Sequence, residues 1–157
     1  MQFFSRLTAF IISVIMTVFP CLDYSPESDD IRLNAAIISD THIDTRLPCG
    51  KYLLERAFLD MNGCSVPTDA VIVTGDLTTY GDDASVEDFF RILPESSKAK
   101  NAIITMGNHD IGHTEDLGMT NQQARDRFIR MHNEYLGTEL DKPYYSYTVN
   151  GYKFIVI

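Results

Sequence analysis

Three short polar motifs carry the side chains of this sequence that are best suited to metal and phosphate chemistry. Each follows an apolar run of strand length, and the motifs are Asp40-Thr41-His42, Gly75-Asp76 and Gly107-Asn108-His109-Asp110. They combine carboxylate oxygens, an amide oxygen and imidazole nitrogens, a mixture that suits divalent transition metals. Each motif alone is weak, because a Gly-Asp pair after a strand is usually only a turn. Their shared position at strand ends makes the set specific.

The predicted secondary structure brings these motifs together. Apolar runs predict strands, and three- and four-residue periodicity predicts helices between them. The strands are expected at residues 31–39, 71–74 and 102–106, and the helices at residues 51–62 and 84–93, with Pro94 stopping the second helix. A β-α-β-α-β order indicates an α/β fold with a parallel sheet. Ligands bind at the carboxyl edge of such a sheet, where all three motifs would meet.

The remainder of the chain predicts a helix and a hairpin. Thr120 and Gln123 have the spacing of a capping box and open a helix that ends at about Leu136, before Gly137. Two further strands, residues 144–149 and 152–157, flank Asn150-Gly151, a strong hairpin signal. Because the sequence stops inside the second of these strands, we expect it to be a fragment of a longer one.

A polar segment, residues 111–119, follows the third motif directly. Loops next to candidate ligands often carry substrate contacts, because they vary without disturbing the scaffold. We expect this segment to form one wall of a substrate cleft.

The order of the motifs resembles that of the calcineurin-like metallophosphoesterase family. That family has Asp-x-His, then Gly-Asp, then Gly-Asn-His-Asp/Glu, and later two histidine-bearing segments. The resemblance implies that residues 31–157 form a partial domain, the N-terminal part of a two-sheet α/β/β/α sandwich. The later segments, including Gly-His-x-His, are absent, so the fragment is expected to be inactive alone.

The resemblance also implies a site for two metal ions. Asp40 and His42 correspond to ligands of one ion, Asp76 to the carboxylate that bridges both, and Asn108 to a ligand of the second. Iron, manganese and zinc all suit these donors, and the sequence does not choose among them.

His109 and Asp110 carry the catalytic roles that the resemblance implies. His109 corresponds to a histidine that faces the phosphate, and Asp110 to the acid that orients it. The implied reaction is hydrolysis of a phosphate ester, as a phosphatase or phosphodiesterase, by attack of a metal-bridging hydroxide on phosphorus. No Gly-x-Ser-x-Gly motif supports a serine nucleophile.

Composition limits the partners. The 157 residues carry a formal charge of −9, which repels phosphate backbones, so nucleic acid is not an expected partner. A small phosphate ester is the expected substrate. The sequence does not indicate an oligomeric state.

The N-terminal residues have the order of a secretory signal. Arg6 precedes an apolar run at residues 7–19, and a polar stretch follows. We therefore expect residues 1–22 to be a signal peptide or membrane anchor, residues 23–30 to be a linker, and the protein to be exported. Contact with a membrane is expected only through this segment.

Several residues are expected to have no part in the site. The three cysteines, Cys21, Cys49 and Cys64, are too few for a disulfide framework, and the helix between the last two would hold them too far apart to bond. His113 and His132 lie in a predicted loop and a predicted helix, and we interpret both as structural or solvated.

Three alternatives remain open from the sequence. The protein could be a nuclease of the same family, which its acidity disfavours. It could be a non-catalytic module whose metal serves folding only. It could also be an ordinary α/β domain in which the motifs coincide by chance.

Overall fold

The computed structural model describes residues 31–113 and 116–157. Three parallel strands alternate with two helices, and a third helix and a hairpin follow, as predicted. The strands are β1 (Ala35–Ile38), β2 (Ala70–Val73), β3 (Asn101–Ile104), β4 (Tyr145–Val149) and β5 (Tyr152–Val156), and the helices are α1 (Pro48–Asn62), α2 (Asp83–Ser96) and α3 (Asn121–Leu136).

The predicted signal peptide or anchor (residues 1–22) and the linker (residues 23–30) lie outside the described residues. Among the helices that are described, none combines the length and the apolar character that crossing a bilayer requires.

The first sheet sets the position of the three motifs. Its strand order is β1-β2-β3, all parallel, with Ile37 paired to Ile72 and Ile72 to Ile103. The central strand β2 is a run of Ala-Val-Ile-Val that is largely buried, as expected for a strand covered on both faces. The strands end at one edge of the sheet, so the polar residues that follow each strand meet there.

The two faces of this sheet pack against different layers of the fold. Val71, Val73 and Ile104 pack with the helices, whose largest buried side chains are Phe58, Phe89, Phe90 and Phe128. Ala70 and Ile103, from alternate positions of the same strands, pack instead with the hairpin. The alternation therefore builds one helical layer and one second-sheet layer around the same three strands.

The hairpin is fixed to β3 by a tyrosine as well as by apolar contacts. The hydroxyl of Tyr145 accepts from the Ile104 N–H at 2.8 Å and donates to the Ile104 carbonyl at 2.9 Å. Asn150 and Gly151 have φ values of 50° and 84°, which the predicted two-residue turn requires. These two strands form a second sheet, which is antiparallel.

Helix α2 corrects the prediction that Pro94 stops it. The helix continues through Pro94 to Ser96, and the Ser97 N–H still bonds to the Leu93 carbonyl at 2.9 Å. Proline removes only its own N–H, and Ile92 and Leu93 are buried, so packing retains the last turn.

Two other boundaries differ from the predictions. Strand β1 begins at Ala35, not residue 31, because the Asn34 N–H donates to the Asp69 side chain instead of to a neighbouring strand. Helix α1 begins at Pro48, three residues early, because proline suits the first turn of a helix. The predicted capping box at Thr120 and the left-handed Gly137 are both present in α3.

Candidate metal centre

Three of the predicted ligands have an unusual backbone conformation. Asp40, His42 and Asp76 have positive φ angles of 56°, 43° and 49°. This region costs a non-glycine residue about 1–3 kcal/mol, and such strain concentrates at functional sites. Backbone hydrogen bonds hold it in place, from the Asp40 N–H to the Gly75 carbonyl at 3.2 Å and from the His42 N–H to the Asp76 carbonyl at 3.1 Å. The first two motifs are therefore tied together directly.

The second and third motifs approach each other so closely that only glycine fits between them. A Cβ atom on Gly107 would lie 2.1 Å from Asp76 Oδ1, and one on Gly75 would lie 2.9 Å from Gly107 Cα. The gap left by the missing side chains lets the His109 N–H donate to Asp76 Oδ1 at 2.9 Å. The glycines thus serve close approach as well as turning.

The side chains of His42, Asp76 and His109 form the centre of the site. Each offers a donor atom, and these atoms all lie within 4.8 Å of one another. The rings of His42 and His109 meet edge to face, with centroids 4.7 Å apart. Two imidazoles and a carboxylate are donor types that suit iron, manganese or zinc. The donor set therefore fits a transition metal.

The other two predicted ligands lie beside this cluster. Asp40 Oδ1 is 3.7 Å from His42 Nε2, and the Asp40 side chain is 62% exposed. Asn108 is exposed, and its side-chain amide makes no hydrogen bond to another described residue. The structure therefore brings His42, Asp76 and His109 together and places Asp40 beside His42, while Asn108 precedes His109 in the same turn.

His109 is oriented by a residue that the sequence did not single out. Its Nδ1 lies 2.9 Å from the carbonyl oxygen of Thr79. A carbonyl can only accept, so Nδ1 carries the proton and Nε2 is the nitrogen left to act on a ligand. The only sequence signal for Thr79 is its position in the loop after Gly75-Asp76, because a backbone carbonyl belongs to every residue type.

Asp110, which the resemblance implies orients His109, forms its hydrogen bonds with two loops. Its buried carboxylate makes no hydrogen bond to the His109 ring, but accepts the N–H groups of Gly107 at 2.8 Å, Thr78 at 3.0 Å and Leu77 at 3.2 Å. The Thr78 hydroxyl donates to it as well, at 3.0 Å. Burial raises the pKa of the Asp110 carboxyl, and hydrogen bonds from Gly107 and Leu77 oppose that rise. Asp110 therefore fastens the loop after β2 to the turn after β3.

The two remaining histidines stand outside the three-residue group. His132 is buried in α3, where its Nδ1 lies 2.7 Å from the Thr138 hydroxyl and burial lowers its pKa to about 4. His113 is half-buried, and its ring centroid is 5.8 Å from that of His109. The cysteines of the described residues, Cys49 and Cys64, are free and exposed.

Comparison with known proteins agrees with this geometry. A family model described as calcineurin-like phosphoesterase matches residues 33–156, a range that contains all three motifs and most of the chain. No curated protein matches the sequence. The match, the parallel sheet and the donor cluster at its carboxyl edge show that the chain belongs to the calcineurin-like phosphoesterase family.

Proposed function

We propose that this protein is a metal-dependent hydrolase of a phosphate ester. The observation that carries the proposal is the cluster of His42, Asp76 and His109 at the edge where three parallel strands end. In the described part of the chain, it is the group of His, Cys, Asp and Glu side chains that could hold a metal ion. The family match supplies the reaction class.

We assign two metal ions to this centre. His42 and Asp40 would hold one ion, Asn108 would hold the other, and Asp76 would be shared by both. Iron, manganese or zinc ions bound here would lower the pKa of a water molecule and neutralise charge on the phosphoryl oxygens. The half-buried carboxylate of Asp76 supplies negative charge at the centre of the cluster.

Of the three clustered side chains, His42 and Asp76 are assigned to the metal ions and His109 to the substrate. Its Nδ1–H is held by the Thr79 carbonyl, which fixes the plane of the ring and leaves Nε2 as the working atom. In the protonated state, Nε2 donates to the leaving oxygen or to a phosphoryl oxygen. Water is the nucleophile in this scheme, so no side chain becomes covalently modified.

The experiment compares substrates and metal states in the full-length protein. After chelation, added Mn²⁺ should restore hydrolysis of p-nitrophenyl phosphate or its diester, and Asp76→Asn should remove it. Cleavage of single-stranded DNA at a comparable rate would favour the nuclease. Bound metal without turnover of any ester would favour the non-catalytic module.

The N-terminal segment supports a further part of the proposal, that the protein is exported. Arg6, the apolar residues 7–19 and the polar residues that follow have the order of a signal. A reporter fused after Asp30 should leave the cytoplasm. Retention of the reporter would reject export while leaving the phosphoesterase proposal intact.

A further inference from the structure

A cleft of about 450 Å³ opens beside the metal centre. Its walls come from the loops that follow β1, β2 and β3, and include Arg46, Tyr80, Asp82, His113, Asp116 and Leu117. This volume lies within the range of about 300–1,000 Å³ that is usual for small-molecule sites. It exceeds what a phosphoryl group alone would occupy.

A series of rings connects the cleft to the metal centre. The His109 ring, which belongs to the donor cluster, lies 5.8 Å from the His113 ring. The His113 ring in turn lies 5.2 Å from the ring of Tyr80. A phosphate held at His109 would therefore lie next to the cleft, which offers room for the leaving group of its ester.

The wall offers apolar surface that the core does not use. Tyr80 is 40% exposed and Leu117 is 39% exposed, although both are large apolar side chains. The Arg46 guanidinium lies 4.3 Å from the centroid of the Tyr80 ring, an arrangement that steadies the ring. A steadied, exposed ring is a surface on which another planar group can pack.

The charges around the cleft disfavour an anion. Arg46 is the positive side chain of the wall, but its Nε and Nη2 donate to the carboxylate of buried Asp44 at 2.7 and 2.9 Å. Its charge is therefore matched within the protein. Asp82 and Asp116 also line the cleft, and within residues 31–113 and 116–157 neither forms an ion pair with Lys or Arg, although Arg46 interacts electrostatically with Asp82 and Asp116 lies 3.4 Å from His113 Nδ1. A negative leaving group would meet two carboxylates there.

We propose that this cleft holds the leaving group of the ester and selects an uncharged alcohol that carries an aromatic ring over an anionic one. The proposal rests on the proposed function, because it assumes that a phosphate binds at His109. It adds the class of ester that the site accepts.

A binding experiment tests the cleft without requiring turnover. Benzyl alcohol and 4-(hydroxymethyl)benzoate have the same ring and hydroxymethyl group but differ by one negative charge. Benzyl alcohol should saturably shift the NMR signals of the Tyr80 and His113 rings, and the benzoate should bind at least tenfold more weakly. Equal binding of the two probes, or no shift at either ring, would overturn the proposal.

Kinetics on the phosphate esters of the same two alcohols provides the second test. In the full-length protein with Mn²⁺, kcat/KM should be higher for benzyl phosphate than for 4-carboxybenzyl phosphate. Tyr80→Leu should raise KM for benzyl phosphate by roughly tenfold, the size expected for one lost aromatic contact. Tyr52→Leu, at an exposed tyrosine of α1, is the matched control and should change nothing.

The acidic wall is tested by removing its charges. The double variant Asp82→Asn/Asp116→Asn should bring the kcat/KM values of the two esters closer together. Asparagine at position 82 can still cap α2. An unchanged ratio of the two kcat/KM values would contradict the claim that these carboxylates select against an anionic leaving group.

The outcomes of the two tests separate the two proposals. If benzyl alcohol binds but no ester is hydrolysed, the proposed function is rejected and the proposal for the cleft is supported. If both esters are hydrolysed at equal rates with no effect of Tyr80→Leu, the cleft proposal fails alone.

Discussion

Asp76 and Asp110 each accept hydrogen bonds from the loop that carries the other. Asp76 Oδ1 takes the N–H of His109, and the carboxylate of Asp110 takes the N–H groups of Leu77 and Thr78. The loop after β2 and the turn after β3 are therefore joined by hydrogen bonds to a carboxylate from each segment. These hydrogen bonds between protein groups hold Asp76 beside His109 and so position two members of the donor set.

Replacing Asp110 with asparagine should weaken this connection. The amide nitrogen of asparagine cannot accept, so at least one buried N–H among those of Leu77, Thr78 and Gly107 loses its partner. An unpaired buried donor costs about 1–3 kcal/mol, and we expect the free energy of unfolding in urea to fall by that amount. Asp126→Asn, at an exposed residue of α3, is the control. If the two variants unfold at the same urea concentration and with the same free energy, this role of Asp110 is contradicted.

A methyl group on Gly107 should disrupt the centre. The Cβ of Gly107→Ala would lie 2.1 Å from Asp76 Oδ1, so the carboxylate or the turn must move. We expect affinity for Co²⁺, measured by its visible absorption, to fall by at least tenfold. Gly63→Ala is the matched control, because its Cβ meets nothing closer than 3.4 Å. Wild-type cobalt affinity in Gly107→Ala would show that the two loops do not need this close approach.

His132 should make the stability of the fold depend on pH. Burial lowers its pKa from 6.5 to about 4, so the unfolded chain binds more protons between these values. The stabilisation is complete above pH 6.5 and is lost as the pH falls towards 4, by up to about 3 kcal/mol. The difference in unfolding free energy between the protein and His132→Gln isolates this contribution from that of the carboxylates. A difference that does not change with pH would contradict the burial argument.

His109→Ala should separate metal binding from turnover. If Nε2 serves the substrate, the variant keeps its metal content and loses about 10²–10⁴-fold in kcat, as expected for the loss of proton transfer. The loss should be smaller for p-nitrophenyl esters, whose leaving group needs little protonation. Elemental analysis beside the kinetics provides both readouts. Loss of metal in parallel with activity would instead make His109 a ligand.

The strands and helices that position this site could be predicted from the sequence, because hydrophobic periodicity and strand-end motifs are local signals. The apolar run of β2, the capping box at Thr120 and the turn at Asn150-Gly151 can each be recognised from a few neighbouring residues. The convergence of the motifs then follows from parallel topology.

Other features depend on contacts between distant segments. The acceptor for His109 is the carbonyl of Thr79, which no side-chain pattern can mark. Asp110 turns towards the N–H groups of another loop because they are buried and need an acceptor. The passage of α2 through Pro94 likewise depends on tertiary packing of Ile92 and Leu93.

The most direct test of the account is the metal dependence of hydrolysis in the full-length protein. Chelated protein should show no turnover of p-nitrophenyl phosphate or its diester, Mn²⁺ should restore turnover, and Asp76→Asn should remain inactive at every Mn²⁺ concentration. Turnover that persists after chelation, or that survives in Asp76→Asn with full metal loading, would contradict a metal centre built on Asp76.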